Sequence, residues 1–437
     1  MRAGRIVKFV LPISYRQVEV MNHFQYKNNE LYAEDVALKD IVAQVGSPVY
    51  IYSHATLTRH FKAFDDAFAA MPHTICYSMK ANSTQSVLRT FINLGGGVDI
   101  VSGGELCRAL KAGVDPQKVV YSGVGKMDDE IEYALNTGIL MFNVESEQEL
   151  TRISEIAARM GKKAGIAIRV NPDVDPGTHP YITTGLKNAK FGITIDRAMA
   201  EYTRAATLPG INVIGIDMHI GSQLTKVNPF VDSIEKLKVM IGNLRTQGID
   251  LSYFDCGGGL GIQYNAEEPP LPADYGQQIV TATKDLGLHL VFEPGRNLVG
   301  NAGILVAKTL YTKARDEKNF IMIDAGMNDL ARPALYDSYH GVQAVKKDQD
   351  GMIVADIVGP ICESGDFLAK GREVPMFKQD DLVAFMSAGA YGFAMSSSYN
   401  SRPRVAEVMV KGDKFEVIRD RETVEDLVKG ERIASFL

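Results

Sequence analysis

The feature that most constrains the fold is a series of eight short β-rich apolar segments, separated from one another by longer amphipathic stretches. Alternation of this kind predicts βα units and a parallel sheet. The segments are TICYSM (74–79), GVDIV (97–101), KVVYSG (118–123), GILMFNV (138–144), GIAIRVN (165–171), VIGIDMHI (213–220), SYFDCGG (252–258) and LHLVFEPG (288–295). Eight successive units within roughly 220 residues predict a closed (β/α)8 barrel of the TIM type.

An open, doubly wound sheet is the alternative that periodicity alone leaves possible. Such a sheet usually has a GxGxxG turn after its first strand, where the phosphates of a dinucleotide bind. The first segment of this chain ends instead in the sequence SMKAN at residues 78–82. The absence of the dinucleotide motif at this position favours the barrel.

The pattern changes after residue 300, where strand-like runs follow one another without long helices between them. This predicts a C-terminal, mainly antiparallel β-barrel or β-sandwich domain over residues 299–437. We expect the barrel to occupy residues 49–298. Residues 21–48 precede it and are expected to join the β domain.

Composition excludes several classes of protein. The chain has 437 residues with 47 Lys and Arg against 53 Asp and Glu, and this net charge of −6 offers no basic field to a nucleic acid. No apolar run approaches the ~20 residues of a membrane span. The four cysteines form no CxxC pair and no Cys/His cluster, which argues against a disulfide framework and a structural zinc site. We therefore expect a cytoplasmic protein without a metal.

The first twenty residues have the charge of a targeting peptide, because all their basic residues precede the only acid, Glu19. Lys8 and Pro12 interrupt the apolar stretch, however, and no small-residue cleavage site follows it. We expect residues 1–20 to be an N-terminal extension that folding and activity do not require.

Reactive side chains occur at the carboxyl ends of the predicted barrel strands. In a barrel these ends converge on one face, where active sites are built. The residues at this face are Lys80, Ser102, Gly103, Glu145, Arg169, His219, Gly257, Gly258, Gly259, Glu293 and Arg296. The strand count therefore predicts a single functional site at this rim.

Three of these features together predict pyridoxal 5′-phosphate as a cofactor. Lys80 follows an apolar strand directly, and desolvation there would lower its pKa and suit it to Schiff-base chemistry with an aldehyde. The glycine-rich run CGGGLGI (256–262) offers backbone N–H groups to a phosphate. Glu293 can supply a carboxylate to a pyridinium nitrogen, and His219 can stack on an aromatic ring or act as a base.

Each feature alone also has a simpler explanation. Lys80 could be a surface lysine, and the glycines could be turn residues. Glu293 could form an ion pair with Arg296 or another cation at the rim, and His219 could be a core histidine whose hydrogen bonds the backbone satisfies. The combination of all of them in this order favours the functional interpretation.

Eight motifs, from about Met21 to the C-terminus, resemble the diaminopimelate decarboxylase family, within the alanine-racemase-fold class (fold type III) of pyridoxal-phosphate enzymes. The motifs are YSMKAN (77–82), HPYITTGLKNAKFGI (179–193), HIGSQ (219–223), CGGGLGI (256–262), EPGR (293–296), RPALYDSYH (332–340), GPICESGDFLAK (359–370) and GAYGFAMSSSYNSRPRVAEV (389–408). The resemblance implies decarboxylation of meso-2,6-diaminopimelate to L-lysine and carbon dioxide, the last step of lysine biosynthesis. Asn297 is a minor departure, since the family pattern has Ser there.

The resemblance also implies how the cofactor is held. Lys80 would bind it covalently, His219 would stack on its ring and Glu293 would pair with the ring nitrogen. The remaining cofactor contacts would be Ser222, Gly258, Gly259, Pro294, Gly295, Arg296 and Tyr391. Of these, Ser222, Gly258 and Gly259 would hold the phosphate.

For the substrate, the resemblance implies recognition of the end that does not react. Its carboxylate would bind Arg296, Arg332 and Tyr336, while its ammonium would bind Glu363. Tyr391 would contact both cofactor and substrate.

Cys362 resembles the residue that reprotonates the α-carbon, although a buried, inert cysteine is the commoner role for this residue type. In this fold class a second subunit supplies the cysteine and the glutamate. The resemblance therefore implies an obligate homodimer with two shared sites.

Two alternative functions remain at this point. A pyridoxal-phosphate-dependent decarboxylase of ornithine, arginine or lysine would have the same fold, but its substrates lack the distal carboxylate that Arg332 and Tyr336 would bind. A non-catalytic cofactor-binding homologue would not need Lys80, Glu293 and Cys362 together. Racemisation is less favoured still, because it needs two opposed bases and no distal recognition pair.

Overall fold

A computed structural model describes residues 22–174, 190–316 and 318–437. The predicted extension of residues 1–20 and most of the motif at 179–193 lie outside these ranges. The predicted combination of a parallel barrel with a separate, mainly β domain is confirmed.

The described chain begins with a small antiparallel sheet and one helix. These elements are β1 (Phe24–Lys27), β2 (Glu30–Ala33), β3 (Val36–Ala37) and α1 (Leu38–Val45). The amide of Leu31 donates to the carbonyl oxygen of Val345 at 2.7 Å. Leu31 and Ile41 are fully buried in an apolar cluster with strands of the C-terminal sheet. This segment therefore packs on the β domain.

Strand β4 (Val49–Ser53) does not belong to the barrel, although the predicted barrel begins at residue 49. It pairs antiparallel with residues 303–306 and parallel with residues 406–410, so it lies inside the C-terminal sheet. Its sequence VYIYS is buried on both faces, as in a central strand, and periodicity cannot distinguish this from a barrel strand. The barrel therefore begins after residue 53, not at residue 49.

Eight parallel strands form the barrel, and each coincides with one of the predicted segments. They are β5 (His73–Ser78), β6 (Gly97–Ile100), β7 (Val119–Tyr121), β8 (Met141–Val144), β9 (Ala164–Asn171), β11 (Ile211–Asp217), β12 (Tyr253–Asp255) and β13 (His289–Phe292), with the two-residue β10 (Ile193–Thr194) beside β9. Strand β13 pairs with β5 and β8 pairs with β9, so the sheet closes on itself. Closure excludes the open-sheet alternative.

Helices surround the barrel, and three of them begin at a serine that caps the helix. They are α2 (His54–Asp66), α3 (Gln85–Asn93), α4 (Gly103–Ala112), α5 (Asp128–Thr137), α6 (Glu147–Arg159), α7 (Ile195–Ala205), α8 (Asn228–Thr246) and α9 (Pro272–Thr283), with short 3-10 turns at Met79–Ala81 and Pro116–Lys118. Ser53, Ser102 and Ser146 each accept a hydrogen bond from the amide three residues later, a cap worth about 1 kcal/mol. Within the described ranges, no helix is long and apolar enough to cross a membrane.

The C-terminal domain is built mainly from antiparallel strands. Helix α10 (Arg296–Val299) and a 3-10 turn (Gly300–Ala302) precede it and pack in the barrel core through Leu298, Val299 and Ala302. The elements of the C-terminal domain are β14 (Gly303–Ala314), β15 (Asn319–Ile323), α11 (Arg332–Tyr336), β16 (Val342–Ala344), β17 (Met352–Val358), β18 (Phe367–Pro375), β19 (Leu382–Phe385), 3-10 turns at Phe393–Met395 and Tyr399–Ser401, β20 (Ala406–Lys411), β21 (Lys414–Arg419) and α12 (Val424–Leu427). The β15–β17 and β4–β20 pairs are parallel. Lys370, Arg372 and Glu373 interrupt the apolar run of strand β18.

The barrel interior changes from apolar to polar along its axis. Side chains of alternate residues point inward, so an inward residue recurs every second position. One interior cluster is apolar and consists of Cys76, Val120, Met141, Ala167 and Val291. Two residues further along these strands, and at matching positions of the other three, the buried residues are Ser78, Asp99, Ser122, Asn143, Arg169, Asp217, Asp255 and Glu293. The carboxyl end of the barrel is therefore lined by polar groups.

Candidate active site

Lys80 lies at the carboxyl end of the barrel because the 3-10 turn Met79–Ala81 follows β5 directly. Its Nζ is 3.2 Å from Oδ2 of Asp99, whose side chain is fully buried. The same carboxylate oxygen accepts a hydrogen bond from Ser78. The Lys80 side chain is 39% exposed, so its amine is accessible from the rim while one buried carboxylate holds it in place.

The pKa of Lys80 differs from the predicted one. Desolvation lowers the pKa of Lys80, as the sequence suggested, but the nearby carboxylates of Asp99 and Glu293 raise it, and the net pKa lies above the ordinary value. The prediction of a lowered pKa is wrong because it did not include the carboxylates that neighbouring strands contribute. Lys80 is therefore an ammonium paired with Asp99.

Glu293 follows β13 directly and is buried. Its Oε1 accepts hydrogen bonds from Ser122 Oγ at 3.0 Å and from Asn143 Nδ2 at 3.2 Å. Among the described residues no group donates to its Oε2, and it forms no ion pair with Arg296, so the alternative of a Glu293–Arg296 pair is wrong. Burial and the charge of Asp99 raise the pKa of Glu293 to about 7.

His219 lies two residues beyond β11 and presents a neutral ring. The amide of Gly258 donates to its Nδ1 at 3.2 Å. Burial and the charge of Arg169 lower the pKa of His219 well below its ordinary value. The Gly258 amide thus already has an acceptor in this structure, which does not favour its predicted role as a phosphate donor.

The glycine-rich loop after β12 requires glycine at positions 258 and 259. A Cβ at Gly258 would lie 2.1 Å from the carbonyl oxygen of Glu293. Gly259 has φ +113°, and a Cβ there would lie 2.5 Å from the carbonyl oxygen of Gly221. Among the described residues, the amides of Gly259 and Gly295 have no acceptor. The loop after β12 and the turn after β13 therefore each offer one free backbone donor.

Two buried arginines, Arg296 and Arg332, lie beside this loop with only neutral partners. Arg296 Nη1 donates to the hydroxyl of Tyr264 at 2.6 Å. Arg332 Nη1 donates to Nε2 of His340 at 3.1 Å, and its Nη2 donates to Ser338 Oγ at 3.4 Å. No carboxylate among the described residues forms an ion pair with either guanidinium. Two positive charges without a counter-ion form a binding site for an anion.

The β domain contributes further predicted residues to the same region. The amide of Tyr391 donates to the carbonyl oxygen of Ala81 at 2.8 Å, next to Lys80. The guanidinium of Arg296 lies 4.9 Å from the centre of the Tyr391 ring. Tyr336 is half-buried at the end of α11, the helix that begins with Arg332.

Ser222 and Pro294 complete the set on the barrel side. Ser222 Oγ accepts from Arg296 Nη2 at 3.3 Å. The carbonyl oxygen of Pro294 accepts from the amide of Ser78 at 3.1 Å. The structure therefore places these predicted residues of the barrel and of the β domain at the rim that carries Lys80.

Cys362 and Glu363 are the two predicted residues that do not join this group. Both are exposed, on the loop between β17 and β18. The Cys362 amide donates to Asn400 Oδ1 at 2.7 Å, and Glu363 Oε1 accepts from the amide of Gly365 at 3.3 Å. The alternative of a Cys362 buried within its own chain is wrong, because this loop presents both side chains to the outside of the chain.

Sequence reasoning missed five residues of the site. They are Asp99, Ser122, Asn143, Tyr264 and His340. The first three occupy inward positions two residues beyond the apolar layer, so the alternation along their strands could have identified them. His340 ends the motif at 332–340, but nothing in the motif shows what it contacts. Tyr264 has no sequence signal, since it follows the glycine-rich loop in an irregular segment.

The residues present fit pyridoxal 5′-phosphate. Lys80 supplies an accessible amine, and Glu293 supplies a carboxylate oxygen that no described residue occupies. The amides of Gly259 and Gly295 supply free donors for a phosphate, and His219 supplies a neutral aromatic face. The donor set thus matches the aldehyde, the ring nitrogen and the phosphate of this cofactor.

Comparisons with known proteins agree with this chemistry. The family model described as "Pyridoxal-dependent decarboxylase, pyridoxal binding domain" matches residues 54–300. Diaminopimelate decarboxylase of Pseudomonas aeruginosa is 51% identical over 413 residues, which cover 94% of this chain and 99% of that protein. The Vibrio cholerae enzyme of the same name is 50% identical, covering 93% of this chain and 98% of that protein.

Among solved structures, diaminopimelate decarboxylase from Helicobacter pylori complexed with L-lysine has a TM-score of 0.87 and 41% identity. The match covers 90% of this chain and 98% of that one. Because these relatives match almost end to end and the family model covers the whole barrel, the chain belongs to the diaminopimelate decarboxylase family of pyridoxal-phosphate-dependent enzymes.

Proposed function

We propose that this protein decarboxylates meso-2,6-diaminopimelate to L-lysine and carbon dioxide, the last step of lysine biosynthesis. The observation that carries the proposal is the pair of buried arginines, Arg296 and Arg332, whose hydrogen-bond partners among the described residues are all neutral. A substrate with a carboxylate at its distal end neutralises this site. Ornithine, arginine and lysine have no such group, and binding them would leave the two charges uncompensated.

Pyridoxal 5′-phosphate, when bound, supplies an electron sink for the carbanion that loss of carbon dioxide leaves. Lys80 would hold it covalently, and His219 would contact its ring. Glu293 Oε2 would accept a hydrogen bond from the ring nitrogen, while Gly259 and Gly295 would donate to the phosphate. Ser222 follows Gly221, which packs against Gly259, and its hydroxyl would be a further donor to the phosphate.

The carboxylates around Lys80 have separate tasks in this proposal. Lys80 must lose a proton before its amine can form a covalent bond, and Asp99, 3.2 Å away, is the acceptor in contact with it. Glu293 has a raised pKa because it is buried. A cationic ring nitrogen next to Glu293 would lower that pKa again and keep the carboxylate charged.

At the distal end of the substrate, Arg296, Arg332 and Tyr336 would bind the carboxylate and Glu363 would bind the ammonium. A planar guanidinium suits a carboxylate because it donates two parallel hydrogen bonds. Cys362 would deliver the proton to the α-carbon, which requires a titratable group on the substrate side of the cofactor.

We also propose a homodimer in which each β domain completes the partner's site. Within one chain Cys362 and Glu363 are exposed, and among the described residues their hydrogen bonds go to their own loop and to Asn400. Tyr399, which precedes Asn400, is 45% exposed, and Leu335, which precedes Tyr336, is 53% exposed. Exposed apolar side chains next to functional groups are a feature of subunit interfaces.

Mixing two inactive variants tests the shared site. We expect Lys80→Ala and Cys362→Ala to be nearly inactive alone, whereas subunit exchange between them restores about a quarter of wild-type activity. Half of the dimers would then be mixed, and each mixed dimer has one intact site. A mixture that regains no activity, although mass spectrometry shows mixed dimers, contradicts the proposed exchange of Cys362 between subunits.

Changing Arg332 tests the substrate. We expect Arg332→Leu to lower kcat/KM for meso-diaminopimelate by about 100-fold, because a buried carboxylate loses a charged partner. Arg404→Leu is the matched control, since Arg404 pairs with Glu422 in the same domain. A wild-type protein that prefers L-lysine or L-ornithine, with that activity unaffected in Arg332→Leu, contradicts the proposed substrate.

For the compartment, the four cysteines offer an argument, since all of them are free thiols. Thiols that remain reduced are typical of a reducing environment. We therefore propose that the protein acts in the cytoplasm.

A further inference from the structure

His340 is a fully buried histidine that no step of the proposed reaction uses. It ends the motif RPALYDSYH that begins with Arg332. Its Nε2 lies 3.1 Å from Arg332 Nη1, and its Nδ1 lies 2.9 Å from the carbonyl oxygen of Met386. The ring therefore links one arginine of the anion site to the backbone after β19.

These two contacts determine the protonation state of the ring. A carbonyl oxygen can only accept, so Nδ1 must carry a proton and donate it to Met386. A guanidinium can only donate, so Nε2 must be unprotonated and accept from Arg332. Burial and the charge of Arg332 lower the pKa of His340 to about 3, which agrees with a neutral ring. His340 is thus an uncharged acceptor in one fixed tautomer.

An uncharged acceptor has a different effect on Arg332 from a carboxylate. Either would orient the guanidinium, but a carboxylate would also neutralise its charge. With His340 in this place, Arg332 is oriented and its charge stays available to a ligand. Arg296 is likewise oriented by a neutral acceptor, the hydroxyl of Tyr264, and also keeps its charge available.

Tyr264 contacts Arg296, Arg332 and His340. Its ring centre lies 4.7 Å from the guanidinium carbon of Arg332. His340 packs against the same ring edge-on, with centres 5.7 Å apart and planes at 82°. Aromatic and hydroxyl groups thereby hold two like charges close together, an arrangement that an anionic ligand stabilises.

We propose that His340 is a positioning residue that makes the site selective for substrates with a distal carboxylate, because it orients Arg332 without neutralising it. The inference rests on the proposed function, since it concerns the same anion site. It differs from a purely structural role in one respect: what matters is a neutral acceptor at Nε2, not merely a buried ring of this size.

Three substitutions separate these roles. His340→Gln places an amide oxygen near Nε2 and keeps a neutral acceptor, whereas His340→Asn places its amide near Nδ1 and keeps only the bond to Met386. His340→Glu keeps an acceptor but adds a negative charge. We expect the KM for meso-diaminopimelate to rise by about 10-fold or more in the Asn and Glu variants and by less than about 3-fold in the Gln variant. In all three variants we expect kcat to change by less than about 3-fold.

His73→Asn is the matched control, because His73 Nδ1 also contacts a backbone carbonyl oxygen, that of Met71 at 2.9 Å, far from the rim. We expect its KM to equal that of the wild type. Thermal unfolding and the visible absorbance of the bound cofactor are measured for every variant. If the Asn variant does not fold, the Gln and Glu variants still compare a neutral with a charged acceptor.

Equal KM values for the Gln and Glu variants, or an unchanged KM in the Asn variant, would overturn the inference. A wild-type protein that does not convert meso-diaminopimelate at all would instead overturn the proposed function. The two failures are therefore distinguishable in one set of assays.

Discussion

Lys80→Ala is expected to lower kcat for meso-diaminopimelate by about 10³-fold or more, because the variant loses the amine that would attach the cofactor covalently. The purified variant should also lose the yellow colour of covalently held cofactor. Steady-state kinetics and a visible absorbance spectrum measure both effects. Removal of the ammonium also leaves Asp99 buried without its cation, so some loss of thermal stability is expected.

Lys80→Arg separates these effects. Arginine keeps a positive charge beside Asp99 but cannot form the covalent bond, so we expect its stability to stay near that of the wild type and its activity to be as low as that of Lys80→Ala. A Lys80→Ala variant that stays yellow and retains activity within tenfold of the wild type would show that another residue holds the cofactor.

Glu293→Gln is expected to lower kcat by about 10²-fold to 10³-fold, because a neutral amide cannot keep a ring nitrogen protonated as a carboxylate does. Folding should be preserved, since the amide oxygen can still accept from Ser122 and Asn143. The measurement is kcat at saturating cofactor and substrate, together with the unfolding temperature.

Ser122→Ala is the control for this prediction. It removes one hydrogen bond to Glu293 Oε1 and leaves the carboxylate in place, so we expect kcat to fall by less than about tenfold. A Glu293→Gln variant no slower than Ser122→Ala would mean that the charge of Glu293 does not act on the cofactor.

The barrel could be predicted from the sequence because each strand carries an apolar run of the right length, and its carboxyl end is adjacent in sequence to the reactive residue. Lys80, His219 and Glu293 were found in this way, and the structure brings them to one rim. Strand β4 was assigned to the wrong domain because its partners lie more than 250 residues away in sequence, at 303–306 and 406–410.

Electrostatics was harder to predict than position. The pKa of Lys80 depends on Asp99 and Glu293, which come from other strands, and no local pattern around residue 80 shows them. Likewise the Gly258 amide bonds to His219, a contact across two loops. The neutral partners of the two arginines, Tyr264 and His340, could not be predicted either, because no sequence pattern shows which groups contact a guanidinium.

The direct test of the central claim is to incubate the purified, cofactor-loaded wild-type protein with meso-diaminopimelate and to measure L-lysine and carbon dioxide. The paired arginines and the residues around Lys80 predict equimolar formation of both products, with L-ornithine left unchanged. A cofactor-loaded protein that forms no L-lysine would contradict the account.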